Sequence, residues 1–186
     1  MATKIYVDQG HNPENPNAGA EGNGLQEQTL TYRIGQELAA LLRANPNYEV
    51  RLSRPTPTTA LGSSNTTSLQ ARVNDANAWG ADYFISLHTN ASDNSTASGV
   101  EAFAYRQPSR AFSLGEDIVR NLAATTGLRN RGMKLRPGLY VLRRTAMPAV
   151  LVEMGFISNP TDAALMNERP ELFAQGIYNG ITEYLG

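Results

Sequence analysis

Only two histidines occur in the chain, His11 and His88, and each closes a segment that reads as a strand: Ile5-Tyr6-Val7-Asp8-Gln9-Gly10-His11 and Phe84-Ile85-Ser86-Leu87-His88. In open α/β sheets the functional crevice lies outside the carboxyl ends of the strands. If the two strands are parallel, both imidazoles therefore reach one edge. A lone histidine is ordinarily a packed or solvated side chain, but two sole histidines in equivalent positions weaken that reading. Two carboxylates add to the set. Glu27 lies three residues before Leu30 and seven before Ile34, so it projects from the apolar side of the first turn of a predicted helix. It either complements the helix N-terminus, worth at most about 1 kcal/mol, or meets a cation above the strand ends. Glu153 interrupts Ala149-Val150-Leu151-Val152-Glu153-Met154-Gly155-Phe156, a run that otherwise reads as a buried strand. An unpaired carboxylate there costs several kcal/mol, so it needs either a partner such as an arginine or a chemical task.

His11, Glu27 and His88 together offer two nitrogens and one oxygen, a donor set suited to catalytic zinc with a fourth position open. Hydrolysis at such an ion also needs a base that takes a proton from water and returns it to a leaving amine. Glu153 is the remaining candidate for that work. The residues are dispersed and match no short metal motif such as H-E-x-x-H.

The elements that must position these side chains belong to a chain of ordinary composition. It has 186 residues, 41% apolar and 18% charged, which fits one globular domain over 1–186 and excludes disordered and fibrous classes. Lys+Arg 16 against Asp+Glu 17 leave a net charge of -1, giving no global electrostatic basis for nucleic-acid binding or a polybasic membrane patch. The absence of cysteine excludes disulfides, thiolate zinc sites and thiol nucleophiles. No run approaches the ~20 apolar residues that span a bilayer, and no signal peptide is visible at the N-terminus.

Predicted strands are Lys4–Val7, Tyr48–Leu52, Tyr83–Leu87, Val100–Tyr105, Leu139–Leu142 and Ala149–Met154, short runs rich in β-branched or aromatic residues. Predicted helices are Gln26–Arg43, with Leu30, Ile34, Leu38 and Leu41 at helical spacing, and Ser68–Trp79, with Ser68 as N-cap. Two more are Ser109–Thr126, ended by Gly127, and a last helix from Pro170 carrying Phe173, Ile177, Ile181 and Tyr184. Apolar strands between amphipathic helices point to an α/β fold: a three-layer α/β/α sandwich around a mixed, mainly parallel sheet of about six strands. The polar stretches Asn12–Gly24, Pro55–Asn65 and Ser92–Gly99 read as surface loops, the first and third of them following a histidine.

Further pieces lie in order along nearly the whole chain. After Asp8-Gln9-Gly10-His11 and Glu27 come Leu69-Gln70-Ala71-Arg72 leading to Ala76-Asn77, then Ala81-Asp82-Tyr83-Phe84-Ile85-Ser86-Leu87-His88-Thr89-Asn90-Ala91 and Gly99-Val100-Glu101. The second half adds Asn130-Arg131-Gly132, Tyr140-Val141-Leu142-Arg143 and Met147-Pro148-Ala149-Val150-Leu151-Val152-Glu153-Met154-Gly155-Phe156-Ile157-Ser158-Asn159. Each piece is weak alone, but the ordered set is specific. The chain resembles the zinc-dependent N-acetylmuramoyl-L-alanine amidases with an AmiC-like catalytic domain, amidase type 3.

That resemblance implies a hydrolase that binds one Zn2+ ion and cleaves the amide between N-acetylmuramic acid and the L-alanine of the stem peptide. His11, Glu27 and His88 match the family's metal ligands and Glu153 its catalytic acid/base, while Asn90 matches a position beside the metal histidine. The implied partners are the glycan strand and stem peptide of peptidoglycan at the bacterial cell wall, as for autolysins and endolysins. No nucleic-acid or membrane partner is expected, and a monomer is favoured. One departure stands out: the family usually follows its first histidine with a glycine-rich stretch containing an aspartate, where this chain reads Asn12-Pro13-Glu14-Asn15-Pro16-Asn17-Ala18-Gly19-Ala20. The segment between Glu27 and His88 has no long helical insertion, so an open groove is expected. The basic residues Arg129, Arg131, Lys134, Arg136, Arg143 and Arg144 either meet anionic wall components or form a solvated face. Two alternatives are a peptidoglycan-binding module without catalysis and a zinc exopeptidase on a similar fold. The complete set of four residues argues against the first, and the presence of only two histidines against the second.

Overall fold

The computed structural model describes residues 1–186. The elements run β1 (Thr3–Gln9), β2 (Glu21–Gly22), β3 (Leu25–Gln26), α1 (Glu27–Arg43), β4 (Tyr48–Leu52), α2 (Asn65–Trp79) and β5 (Tyr83–Asn90). They continue with β6 (Val100–Ala104), α3 (Arg110–Thr126), β7 (Asn130–Leu135), α4 (Tyr140–Arg143), β8 (Ala149–Phe156), α5 (Pro160–Glu168) and α6 (Pro170–Leu185). Six strands form the central sheet in the order β4-β1-β5-β8-β6-β7, and β2 and β3 make a small hairpin. All neighbours in the sheet are parallel except β6 and β8. The sheet is thus mixed and mainly parallel.

Side chains alternate between the two faces along each strand, and this sorts the interior into two cores. On one face Ile5, Val7, Ile85, Leu87, Val150 and Val152 pack with Leu30 and Ile34 of α1, Ile118 of α3, and Phe173 and Ile177 of α6. On the other, Tyr6, Phe84, Leu151 and Phe103 lie with Val73 and Ala76 of α2 and with Val141 and Leu142 of α4. Helices cover both faces, giving the three layers expected. The chain leaves β1 through α1 to reach β4 on one side, then returns through α2 to β5 on the other side of β1. The winding therefore reverses between β1 and β5, the place where open α/β sheets present a ligand crevice.

Leu139–Leu142 is not a strand. Tyr140–Arg143 forms a single helical turn that buries Val141 and Leu142. A four-residue apolar run has no period that separates a strand from a buried turn of helix. The sixth strand is instead β7, which carries Asn130, Arg131 and Lys134. It has one neighbour and lies at the sheet edge, so it needs no continuous apolar pattern and escapes a search for one. Helix α2 begins earlier than expected because Ser64, not Ser68, is its cap. The Ser64 hydroxyl accepts from Thr67 N–H at 3.1 Å, and Thr67 Oγ1 accepts from Ser64 N–H at 2.9 Å. Ser68 is buried within the helix. Helix α5 lies outside the helices that the sequence pattern predicts. Its cap Asn159 accepts from the N–H groups of Thr161 and Asp162, and buried Asp162 accepts from Gly99 N–H and Phe156 N–H at 3.0 Å each. This pins the end of the Ser92–Gly99 loop to the end of β8.

Candidate active site

The parallel pairing of β1 and β5 brings the two histidines to the same sheet edge. His11 stands two residues past β1 with a left-handed backbone, φ 70°, while His88 lies within β5. Their rings meet edge to face with centroids 5.0 Å apart. Glu27, in the first turn of α1, places Oε1 3.2 Å from His11 Nε2 and 3.2 Å from His88 Nδ1. The three ligand atoms all lie within 4.8 Å of one another, an arrangement able to hold a metal ion. Two ligands about 2.0–2.1 Å from a tetrahedral zinc ion stand roughly 3.3 Å apart, so both Glu27–histidine separations fit that metal. The His11 and His88 side chains are 21% and 17% exposed, so the cluster opens to solvent.

Glu27 is held by the backbone: Thr89 N–H donates to Oε1 and Ala20 N–H to Oε2, each at 2.9 Å. Burial by itself raises its pKa, but the hydrogen bonds and charges of His11 and His88 outweigh it and keep the carboxyl well below the usual carboxylate range. Two glycines make room for the cluster. A Cβ on Gly10 would stand 2.5 Å from His88 Cε1, and one on Gly19 would stand 2.7 Å from Glu27 Cβ and 2.9 Å from His11 Cδ2.

Glu153 joins the site through the sheet register. His88 pairs with Glu153 across β5 and β8, and Glu153 pairs with Glu101 across β8 and β6. The three side chains form one row at strand spacing, about 4.8 Å per step. Just beyond, the register slips so that Asn90 faces Phe156, a bulge that gives β8 one extra residue. The Oε2 of Glu153 is enclosed and has no hydrogen-bond partner. Burial first, and then the charges of Glu27 and Glu101, push this carboxyl up to about 8, against a smaller opposing pull from Arg136. Arg131 pairs with Glu101 rather than with Glu153, Nε to Oε2 at 3.6 Å. A carboxyl with an unused oxygen and a pKa near neutrality is equipped to move protons.

Several residues around the cluster were not singled out by the sequence as site residues. Glu101 is 4% exposed, accepts from Asn90 Nδ2 at 2.6 Å and pairs with Lys134. The signal that exposed Glu153, a carboxylate within a buried strand, was present for Glu101 as well. The basic stretch divides: Arg131 and Lys134 turn toward Glu101 and Arg136 stacks over Phe103 at 4.9 Å, while Arg129, Arg143 and Arg144 are exposed. In the loop that departs from the family pattern, Asn17 Oδ1 lies 3.2 Å from His11 Nδ1. Asn12 accepts from Leu61 N–H at 2.9 Å and donates to Pro16 O at 2.8 Å. Part of this polar loop therefore serves as scaffold. Behind the histidines lies a buried layer of Asp8, Ser86 and Arg72. Burial raises the pKa of Asp8, but the charge of Arg72 and hydrogen bonds from Ser86 and Arg72 bring it below its ordinary value.

Known proteins share this arrangement of sequence and fold. The chain is 38% identical over 179 residues to N-acetylmuramoyl-L-alanine amidase CwlM of Bacillus licheniformis, an alignment covering 95% of this chain and 65% of that protein. It is 36% identical over 184 residues to N-acetylmuramoyl-L-alanine amidase LytC of Bacillus subtilis (strain 168), covering 97% and 35% respectively. The chain thus corresponds to one part of each of these relatives. The solved structure of the catalytic domain of CwlV, an N-acetylmuramoyl-L-alanine amidase from Bacillus (Paenibacillus) polymyxa var. colistinus, matches with a TM-score of 0.85 and 33% identity over 98% of each chain. The family model for N-acetylmuramoyl-L-alanine amidase, type 3, matches residues 5–183, and the chain belongs to that family.

Proposed function

We propose that the protein is a zinc-dependent peptidoglycan hydrolase that cleaves the amide between N-acetylmuramic acid and the L-alanine of the stem peptide, at the bacterial cell wall. The observation that carries this reading is the enclosed, unpartnered carboxylate of Glu153 set one strand from a two-histidine, one-glutamate cluster. His11 Nε2, His88 Nδ1 and a Glu27 oxygen would hold the ion. When bound, zinc supplies Lewis-acid polarisation of the scissile carbonyl and activation of water. Glu153 takes the proton from the attacking water as the new carbon–oxygen bond forms, then delivers it to the amide nitrogen as the carbon–nitrogen bond breaks. One carboxyl thereby serves as base and then acid. The open surface around His11 and His88 suits a long hydrated polymer.

Two results follow. Gly19→Ala forces a methyl group against Glu27 and His11, and is expected to weaken zinc binding at least tenfold in a competition titration while the fold persists. Digestion of purified peptidoglycan, followed by mass spectrometry of the new ends, tests the reaction itself. Stem peptides released with free L-alanine amino termini are expected; cleavage within the stem would instead mark a peptidase, and no released product would mark a binding module.

A further inference from the structure

We propose that Arg72 is a positioning residue that sets both histidines at once, from behind the site. Its guanidinium is 1% exposed and bridges two paths. Along the first, Nη1 donates to Asp8 Oδ1 at 2.7 Å, and Asp8 Oδ2 accepts the Ser86 hydroxyl proton at 2.7 Å. That hydroxyl has one hydrogen, already committed to an ionised carboxylate that only accepts, so its oxygen is left to accept from His88 Nε2, 3.1 Å away. His88 is thereby fixed in the Nε2–H tautomer, with the lone pair of Nδ1 turned to Glu27 and the ligand cluster.

Along the second path, Arg72 Nη2 donates to the carbonyl of His11 at 2.7 Å, and Nη1 donates to the carbonyl of Gln9 at 2.7 Å. These bonds clamp the backbone on either side of Gly10, where the chain enters the left-handed conformation of His11. One helical turn earlier on α2, buried Ser68 accepts from Asn17 Nδ2 at 3.0 Å, leaving Asn17 Oδ1 to receive His11 Nδ1–H. His11 therefore presents Nε2. The two imidazoles are set in opposite tautomers by Ser68 and Arg72, four residues apart on the buried side of α2. Outer partners of this kind orient metal ligands and typically govern affinity by 10–100-fold.

The inference rests on the reading that His11, Glu27 and His88 hold zinc. Its test is zinc affinity, measured by competition with a chromophoric chelator, for the wild type, Arg72→Lys and Ser86→Ala. Lysine keeps the charge but loses the fork that spans Asp8 and His11. Ser86→Ala removes the His88 acceptor together with the hydroxyl that donates to Asp8, and it is small enough to leave the fold intact, which circular dichroism checks. Both variants are expected to bind zinc 10–100-fold more weakly while remaining folded. Because the chain has two histidines, 15N spectra of the zinc-loaded wild type contain two imidazoles. One is expected protonated at Nδ1 (His11) and the other at Nε2 (His88). Wild-type affinity in folded Ser86→Ala and Arg72→Lys, or identical tautomers for the two rings, overturns the inference. A wild type that binds no zinc overturns the underlying reading instead.

Discussion

Glu153→Gln is expected to lower kcat on peptidoglycan by about 10²–10⁴-fold, the range for losing a general acid–base group, while leaving the zinc content at one ion per chain. The same substitution is expected to stabilise the metal-free protein. The folded carboxyl is pushed up to about 8 from an ordinary 4.5. Between those values the native state holds a proton that the unfolded chain has released, so stability falls as pH rises through this window and levels off above it. Glutamine carries no such cost. The advantage of Glu153→Gln in thermal unfolding should therefore be absent below the window, grow through it, and reach on the order of a few kcal/mol above it. Part of that gain is offset by the unmet hydrogen bonds of the buried amide. A variant that retains wild-type turnover would remove Glu153 from the proton-transfer role. A pH-independent stability difference would show that its carboxyl is not buried as described.

Glu27→Ala is the second large effect, and it acts on metal retention. The substitution removes the carboxylate that lies 3.2 Å from both His11 Nε2 and His88 Nδ1 and strands the N–H groups of Thr89 and Ala20, which now donate to its two oxygens. Zinc affinity is expected to fall by more than the roughly 10–100-fold that follows loss of an outer partner. Stability should drop by about 1–3 kcal/mol for the orphaned donors. Equilibrium dialysis with zinc and denaturant unfolding separate the two consequences. Wild-type zinc affinity in this variant would exclude Glu27 from the ligand set.

Much of this arrangement is legible in the sequence alone. The helical spacing of Leu30, Ile34 and Leu38 set the face of α1 and, with it, the direction of Glu27. The strand-closing positions of His11 and His88 placed both at one edge, since parallel strands align their carboxyl ends. Glu153 was visible because a carboxylate in an apolar strand demands an explanation. Glu101 stood in an equally apolar strand, yet its importance comes from register with Glu153, and register is a non-local property that no single strand contains. Arg72 was less accessible still. It sits on a helix with little apolar pattern, where an arginine ordinarily points to solvent, and only the packing of α2 over Asp8 and Ser86 reveals that it is enclosed. The same limit explains β7. An edge strand is defined by the neighbour it pairs with, and its polar residues resemble a loop until that neighbour is known.

The most direct measurement is an anomalous difference map at the zinc absorption edge from crystals of the zinc-loaded protein. One peak is expected, about 2.0–2.2 Å from His11 Nε2, His88 Nδ1 and a Glu27 oxygen, with Glu153 outside the coordination sphere. A peak bound by Glu153, or zinc held elsewhere with the two histidines bare, would contradict the assignment.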